Sequence, residues 1–503
     1  MKKTFIKILI LCNGFSSYTQ TSPQIDSLFR NSYTVFELER LPNGMYRDSK
    51  LMSGIDYHPI SIANTGMGLI SLCIADSMGW INNAEQLAIA SLKTATGNTP
   101  NFTPDRTSNG YYRHFMDVNT GAQAWSSEYS TIDTDILVCG ALFCMKYFDN
   151  PDITQYALEL WSSIDFDAAI VNTSTGQIYL SMNADGSGVS NSLTSPYNEY
   201  MIVAWLAKNY SSDTSSPGNI LWNTHYSSTT SLSSITYNGH SVLSDNSTSF
   251  LSSFTHQFNY YLCNYFTTSN TYLTYFENSQ KADVSWWTTT GFNSYEWGLG
   301  AGSAVTNSYH ADAINNNSDT IVSPQIFAGY IPIYPDAKND LISLWDNNFG
   351  KYTLPTVNSD PILWRYSKSN TTWVPNEITG VDHSTMLFGL STLPEYLGSN
   401  FFSNNNDFFP LPSLNLRENN ILQNLKIFPN PASDILAIRI GGLNNHDLEV
   451  KLLDLQGKII QRNQINKGQT IGYLEIKTIS SGLYFITFSS NGKNLSKKII
   501  IEK

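Results

Sequence analysis

Charged side chains are scarce in this chain of 503 residues, at 14% against about 25% in a typical soluble protein. Basic residues are scarcer than acidic ones, since the chain has 29 Lys and Arg and 41 Asp and Glu. The formal net charge is −12. This shortage argues against nucleic-acid binding, since phosphate contacts need Lys and Arg. Aromatic residues make up 13%, which excludes intrinsic disorder. A weakly charged, aromatic-rich surface suits neutral polar ligands, of which carbohydrate is the commonest.

The few charges are unevenly distributed along the chain. Residues 1–20 carry three Lys and no acid, and residues 423–503 carry 11 basic and 6 acidic groups. The remaining segment, residues 21–422, holds 15 basic and 35 acidic groups, or −20, and all 11 Trp. The chain therefore consists of a basic start, an acidic aromatic body and a basic tail.

Long hydrophobic runs are missing, so no segment is predicted to span a membrane. Residues 1–20 combine Lys2 and Lys3, a short apolar run and small residues at Ser16 and Ser17, which predicts a secretory signal peptide. A short anchoring helix is the alternative. Lipidation at Cys12 is a second one, although Leu11 before it is large for a lipobox.

Cysteines are also few, and those after the signal peptide show no CxxC or His-paired spacing. They are Cys73, Cys139, Cys144 and Cys263. Buried thiols are the first interpretation and one disulfide after export is the other. The sequence therefore predicts no metal site and no cofactor.

Helical periodicity recurs through the body between loops rich in Gly, Asn and Ser. It predicts a mostly α domain over residues 21–400, with paired helices that suggest an α/α barrel or toroid, although periodicity alone does not fix six hairpins. Pro196 predicts a helix start at Tyr197. The predicted helices cover residues 66–80, 83–96, 131–148, 153–162, 197–208, 250–266 and 272–287, with shorter ones at 323–329, 336–347 and 384–390.

The tail changes character after a segment rich in Asn and Pro at residues 401–422, which is predicted to be a linker. Short β-branched runs between Gly and Asn turns predict a small β-sandwich over residues 423–503. The phrases FPNPASDIL, LLDLQGKII and SSGLYFITF, with a terminal KKIIIEK, resemble the C-terminal sorting domain of type IX secretion substrates. That resemblance implies a secretion-machinery partner and export across the outer membrane of a Gram-negative bacterium. A carbohydrate-binding sandwich is the alternative, disfavoured by the absence of Trp.

Several acidic and aromatic clusters in the body are candidates for chemistry. Glu128 and Asp133 lie near a helix start, where an acid can simply cap the first turn, and Glu199 has the same alternative. His256 lies inside a helical run, where a hydrogen-bonded core His is common. The residue types and their spacing therefore do not determine which two carboxyl groups form a catalytic pair.

Ten phrases in order resemble the bacterial glucoamylase-like hydrolases, which include the endo-β-1,2-glucanases of glycoside hydrolase family 144. The most specific are SEYSTID, YNE, THQF and EWGL, and the likeness spans most of residues 35–395. It implies an (α/α)6 barrel that hydrolyses glucan with inversion. The chain departs from the family at Asp319 and in the Asn-rich loop 301–317, which puts the substrate in more doubt than the fold.

The resemblance assigns Glu199 as general acid, and Asp382 is our candidate for the base. An inverting hydrolase holds two such carboxyls roughly 6.5–9.5 Å apart around a water. We expect apolar neighbours to raise the pKa of Glu199, and we expect Asp382, in a polar Gly-Val-Asp-His loop, to stay ionised. Glu128 and Asp133 are expected to bind sugar hydroxyls or orient water. The groove is expected to be completed by Tyr112, His114, Trp125, Tyr197, His256, Gln257, Glu296 and Trp297.

The sequence thus predicts a secreted, monomeric glycoside hydrolase acting inside β-1,2-glucan. An exo-acting glucosidase on another glucan and a surface glycan-binding protein without catalysis remain open. A polysaccharide lyase is disfavoured because uronate neutralisation needs cations that the body lacks.

Overall fold

The computed structural model describes residues 22–306, 308–412, 425–439, 447–467, 469, 471–490 and 493–503, so the predicted signal peptide lies outside the described residues. The chain divides into two compact units between Leu411 and Pro412. The first unit is mostly helical, as predicted. Its helices are α1 Pro23–Glu39, α2 Ile62–Ser77, α3 Ala84–Ala95, α4 Thr131–Phe148, α5 Pro151–Ser162, α6 Met201–Tyr210, α7 Pro217–Leu221, α8 Phe254–Leu262, α9 Asn264–Thr268, α10 Asn270–Thr289, α11 Pro324–Gly329, α12 Ala337–Asp346, α13 Gly380–Ser391 and α14 Asn400–Asn405.

Helices α2, α4, α6, α8, α11 and α13 form an inner set. Each packs on the next in this order, and α13 packs back on α2. Almost every residue of α2, α4 and α13 is buried, which explains why these helices are apolar all round rather than amphipathic. Helices α1, α3, α5, α7, α10 and α12 pack outside α13, α2, α4, α6, α8 and α11, respectively.

Two glycines set the close approach of α2 to α4. A Cβ atom on Gly66 would collide with the carbonyl oxygen of Ile136, and one on Gly140 would collide with that of Gly66. The N-terminal ends of both helices are capped by serines, because Ser61 Oγ accepts from Asn64 N and Ser130 Oγ accepts from Asp133 N, both at 3.2 Å. The two glycines allow the close approach of α2 to α4, and the serine caps define where each helix begins.

Short antiparallel strand pairs join the helices. Strand β17 leads directly into α13 and pairs with β1, whereas β2 and β4 lead into α2 and α4 and pair with β3 and β7. The strands of this unit are β1 Ser49–Leu51, β2 Ile60–Ser61, β3 Phe115–Met116, β4 Tyr129–Ser130, β5 Ile170–Asn172, β6 Gln177–Tyr179, β7 Ser181–Met182, β8 Leu193–Thr194, β9 Ser234–Tyr237, β10 His240–Leu243, β11 Ala301–Ser303, β12 Tyr309–Ala311, β13 Ile321–Val322, β14 Lys351–Thr353, β15 Pro361–Leu363, β16 Tyr366–Ser367 and β17 Glu377–Thr379.

The structure corrects the first part of the linker predicted at residues 401–422, whereas residues 413–422 lie outside the described residues. Residues 400–405 form α14, and Phe402 packs its ring against Tyr261 and Phe388 in the helical core. Phe409 packs on Trp205. Aromatic residues that bury this much apolar surface belong to the domain, so the first unit extends beyond residue 400 to Leu411.

The second unit contains two antiparallel sheets, of strand order β18-β19-β22 and β21-β20-β23-β24. Residues of both sheets, among them Leu436, Leu474, Val450 and Phe488, share one apolar core, as expected of a small β-sandwich. The strands are β18 Lys426–Phe428, β19 Ile435–Arg439, β20 Leu448–Leu453, β21 Ile459–Ile465, β22 Ile471–Glu475, β23 Gly482–Ser490 and β24 Lys493–Ile501.

The cysteines of the described segments are buried free thiols. Cys73 of α2 and Cys144 of α4 face each other with their sulfurs 3.5 Å apart. No helix within the described ranges combines the length and the apolarity that crossing a lipid bilayer requires.

Candidate active site

The candidate residues gather where the inner helices begin. Asp133 lies in the first turn of α4, Glu199 directly precedes α6, Thr255 opens α8 and Asp382 lies in the first turn of α13. Helix α4 packs on α6, so the helix starts that carry Asp133 and Glu199 belong to neighbouring helices. Helix N-termini also favour carboxylates through their free N–H groups and dipoles.

Glu199 lies in a turn rather than in a helix. Helix α6 begins at Met201, four residues later than Pro196 predicts, and the turn is held by Asn259 of α8, whose side chain donates to the carbonyl oxygen of Asn198 at 3.1 Å. Glu199 is half-buried, and its Oε2 accepts from the Thr255 hydroxyl at 3.5 Å. Burial raises the pKa of Glu199, in the direction expected of a general acid.

Asp382 is buried, not part of a polar loop as expected from the sequence. The residue is only 3% exposed and lies in the first turn of α13, a helix that is buried along almost its whole length. Oδ2 accepts from the Thr379 hydroxyl at 2.7 Å and Oδ1 accepts from the Tyr309 hydroxyl at 3.0 Å. Burial outweighs these donors and the nearby Arg365 cation, and raises the pKa of Asp382 to about 6. The group is therefore still mostly ionised at neutral pH.

His114, Glu128 and Asp133 form a compact charged cluster. Nδ1 of His114 lies 3.0 Å from Oε1 of Glu128 and 3.6 Å from Oδ2 of Asp133. Burial opposes the positive charge of His114, but the two carboxylates outweigh it and raise the His114 pKa to about 9. The hydrogen bond from His114 lowers the pKa of Glu128. One ligand atom from each of the three residues lies within 4.8 Å of the others, a spacing that would suit a cation only if His114 lost its proton.

Asp48 connects this cluster to Asp382. Burial raises the pKa of Asp48 above its ordinary value, against the opposing effects of the Ser49 hydrogen bond and of His114 and His58, and the charge of Asp48 makes a minor contribution to the raised pKa of Asp382. The backbone carbonyl of Asp48 also accepts from Gly380 N at 3.1 Å, at the start of α13. Sequence reasoning missed Asp48, although it forms part of the matched Arg47-Asp48 phrase.

Trp125 is the most exposed of the predicted aromatic residues, with 51% of its surface accessible. Its ring contacts Phe115 and His58 edge-on, at centroid distances of 5.0 and 6.0 Å. Phe115 in turn stacks on His114 at a centroid distance of 3.8 Å, and an indole held in this way can stack on the apolar face of a sugar.

Four residues predicted to line the groove lie in the core with internal partners. Tyr112 donates to Ala95 O, Gln257 donates to Ile326 O, and Trp297 donates to Asp340 Oδ2. Glu296 is 1% exposed and accepts from Lys368 Nζ at 2.6 Å and from the Tyr366 hydroxyl at 3.0 Å. All four residues are at most 1% exposed, and each has a polar atom bonded within the protein, although Gln257 Oε1 has no partner among the described residues. Their sugar contact stays a prediction that this burial disfavours.

Tyr197 precedes Glu199 by two residues, His256 follows its partner Thr255, and the two rings form a stacked pair. Their ring centroids are 5.0 Å apart, and the Tyr197 hydroxyl lies 3.1 Å from His256 Nδ1. Burial lowers the pKa of His256 to about 3, so the imidazole is neutral. The stacked pair thereby links the segment that carries Glu199 to helix α8.

The helical unit shares its fold with several solved structures. An endo-β-1,2-glucanase from Chitinophaga pinensis, solved with sophorotriose and glucose, aligns with a TM-score of 0.60 at 17% identity, over 77% of this chain and 94% of that one. A presumed glucoamylase from Bacteroides fragilis aligns with a TM-score of 0.63 at 16% identity, over 78% and 97%. A β-1,2-glucanase from Parabacteroides distasonis aligns with a TM-score of 0.62 at 16% identity, over 78% of this chain and 59% of that one.

Residues 426–502 match the family described as the secretion system C-terminal sorting domain. The predicted identity of the tail is thereby confirmed. No curated protein matches the chain in sequence.

Proposed function

We propose that the chain is an exported glycoside hydrolase that cleaves inside β-1,2-linked glucan with inversion at the anomeric carbon. The observation that carries the proposal is the pair Glu199 and Asp382, two carboxyls with raised pKa values among the starts of the inner helices. Inverting hydrolysis needs one carboxyl that donates a proton and a second that accepts one. The shared fold with solved β-1,2-glucanases supports the linkage.

In this mechanism Glu199 is the general acid. Its proton passes to the glycosidic oxygen as the bond to the anomeric carbon breaks, either directly or through a substrate hydroxyl. Its raised pKa keeps the proton available. His256 is neutral and is paired with the uncharged Tyr197. Neither ring therefore places a positive charge near the Glu199 carboxyl that would lower its pKa.

Asp382 is the base. Its carboxylate takes a proton from the water that attacks the opposite face of the sugar, and this attack inverts the anomeric carbon. With a pKa of about 6, Asp382 is a stronger base than an ordinary Asp and yet remains mostly ionised at pH 7.

The His114 cluster binds the sugar. At neutral pH His114 carries a proton and holds the Glu128 and Asp133 carboxylates in place. Each carboxylate can accept bonds from two hydroxyls, which distinguishes sugar epimers. Trp125, whose ring contacts Phe115, provides an apolar face.

The fold and the tail complete the proposal. The six inner helices and their outer partners correspond to an (α/α)6 toroid. The sorting domain at residues 426–502 directs the protein through a type IX machinery to the cell surface or the medium.

A panel of β-1,2-, β-1,3-, β-1,4- and α-1,4-glucans tests the function. We expect β-1,2-glucan to give short oligosaccharides, and we expect Glu199→Gln and Asp382→Asn each to lower kcat at least about 10²-fold. Matched controls are Glu159→Gln on α5 and Asp340→Asn on α12. Burial raises the pKa of both control carboxyls, but both lie on outer helices.

Each other outcome has a definite meaning. Glucose as the sole early product would favour an exo-acting glucosidase. Binding without cleavage of any glucan would identify a glycan-binding protein and refute the proposal. Near-normal turnover in either site variant would refute its assigned role.

A further inference from the structure

The hairpin β11–β12 is anchored firmly over the start of α13. Ser303 pairs with Tyr309 across the hairpin, and Gly302 has φ of 137°. A Cβ atom on Gly302 would lie 2.8 Å from Cδ of Arg365, so the side chain of Arg365 packs directly against the hairpin backbone. Arg365 is fully buried and donates to Asp312 Oδ2, just beyond β12, at 2.7 Å.

Tyr309, at the start of β12, is exposed over most of its surface but has a hydroxyl group that reaches a buried carboxylate. More than half of its surface, 59%, is exposed, yet its hydroxyl reaches the buried Asp382 and donates to Oδ1 at 3.0 Å. Burial and the Asp382 charge raise the pKa of the Tyr309 hydroxyl, so it keeps its proton and remains a donor. A tyrosine in this setting can act on the carboxylate and on a ligand at once.

The exposed ring of Tyr309 forms part of the wall of a cavity of about 420 Å³. Tyr57 and Trp373 contribute further aromatic surface, and Asn376 and Glu377 contribute polar groups. Glu377 is held by His58 Nε2 at 2.9 Å, and Tyr57 stacks on His58 with a centroid distance of 4.3 Å. Aromatic faces combined with a few fixed polar groups are suited to a neutral sugar.

We propose that Tyr309 is a positioning residue that orients Asp382 through its hydroxyl and, through its ring, holds a glucosyl unit of the substrate in the adjoining cavity. The inference rests on the proposed function, because it assumes that Asp382 is the base of a glucan hydrolase. It adds a residue from loop 301–317, where the chain departs from the resemblance noted in its sequence. Binding of the glucosyl unit in the cavity and orientation of Asp382 then both depend on the Tyr309 side chain.

The variants Tyr309→Phe and Tyr309→Ala separate the two roles. Phe keeps the ring and removes only the hydrogen bond to Asp382. We expect kcat on β-1,2-glucan to fall about tenfold with little change in KM, because a hydrogen bond to a charged group is lost at the base. We expect Ala to lower kcat similarly and also to raise KM, because it removes the cavity wall.

The pH profile distinguishes positioning from mere structural support. The Tyr309 hydroxyl stabilises the Asp382 carboxylate, so its loss raises the Asp382 pKa and moves the acid limb of kcat/KM to higher pH. Arg365 and Asp48 also face Asp382, and both are unchanged in the variant. We expect a displacement of about half to one pH unit in Tyr309→Phe.

Tyr265→Phe is the matched control. It also removes a phenol hydroxyl with a hydrogen bond, here to Ser227 O at 2.6 Å, but on the side of α9. We expect its acid limb and its kcat to match those of the wild type. Wild-type protein that cleaves no glucan would overturn the proposed function and this inference together. Wild-type hydrolysis with an undisplaced acid limb in Tyr309→Phe would overturn the role of Tyr309 alone.

Discussion

Replacing Asp382 by Asn is expected to make the protein more stable and nearly inactive. Burial raises the pKa of this carboxyl from the ordinary 3.8 to about 6. One pH unit between the folded and unfolded pKa values corresponds to about 1.4 kcal/mol, so the buried charge costs on the order of 3 kcal/mol at pH 7. Asn carries no charge and still offers an oxygen to the Tyr309 or Thr379 hydroxyl. We therefore expect a gain of about 1–3 kcal/mol in the free energy of unfolding at pH 7.

The sign of the pH dependence follows from the same pKa. Well below pH 3.8 the carboxyl is protonated in both the folded and the unfolded chain, so wild type and Asp382→Asn should be equally stable. As the pH rises, the unfolded chain ionises first, and the wild type loses stability until the folded group ionises near pH 6. The advantage of the variant should therefore grow between about pH 4 and pH 6 and then level off.

Urea unfolding followed by tryptophan fluorescence at several pH values, with kcat measured in parallel, checks this prediction. Asp340→Asn is the control, since burial raises the Asp340 pKa to about 6 as well, and this variant should gain stability without losing activity. An Asp382→Asn protein that is less stable than the wild type at pH 7 would refute the reasoning. It would mean that the charge supports the fold and that the activity loss is structural.

Three further results are expected. The kcat/KM of the wild type should be about tenfold lower at pH 5 than at its plateau, since a base with a pKa of about 6 is about nine-tenths protonated there; a flat profile would contradict Asp382 as base. Glu296→Gln should lower the free energy of unfolding by about 2–3 kcal/mol, because it leaves Lys368 unpaired, while kcat stays within twofold; a large kcat loss at unchanged stability would place Glu296 in the site. Deleting residues 426–502 should leave kcat unchanged but retain the protein inside a host with type IX secretion; normal export of the deletion would contradict the sorting role.

Local sequence signals predicted much of the helical unit. Helix α4 spans residues 131–148 as predicted, because an apolar run follows a capping serine. Helix α1 was missed, although Ser22 and Pro23 provide a cap and a first-turn proline. Phe401 and Phe402 were assigned to a linker because surrounding Asn residues dominate the local composition. Phe401 contacts Phe143 and Phe402 contacts Tyr261, both much earlier in the chain, and no local pattern can show such contacts.

The candidate site was less predictable for the same reason. Asp382 is buried because β17 pairs with β1, more than 300 residues earlier, and because Tyr309 reaches it across 73 residues. Glu296 stands in a phrase that resembles a catalytic family, but Lys368, 72 residues later, binds it in the core. Residue type predicted which side chains could do chemistry, and the tertiary contacts determine which of them are near substrate.

The anomeric form of the first product is the most direct test of the account. Proton NMR of wild-type protein with linear β-1,2-glucan, recorded within minutes of mixing, reports the new reducing end before mutarotation. The account predicts α-configured reducing ends that convert to the equilibrium mixture, because Asp382 activates water on the face opposite the leaving group. New ends that appear first in the β form, or intact glucan after prolonged incubation, would contradict it.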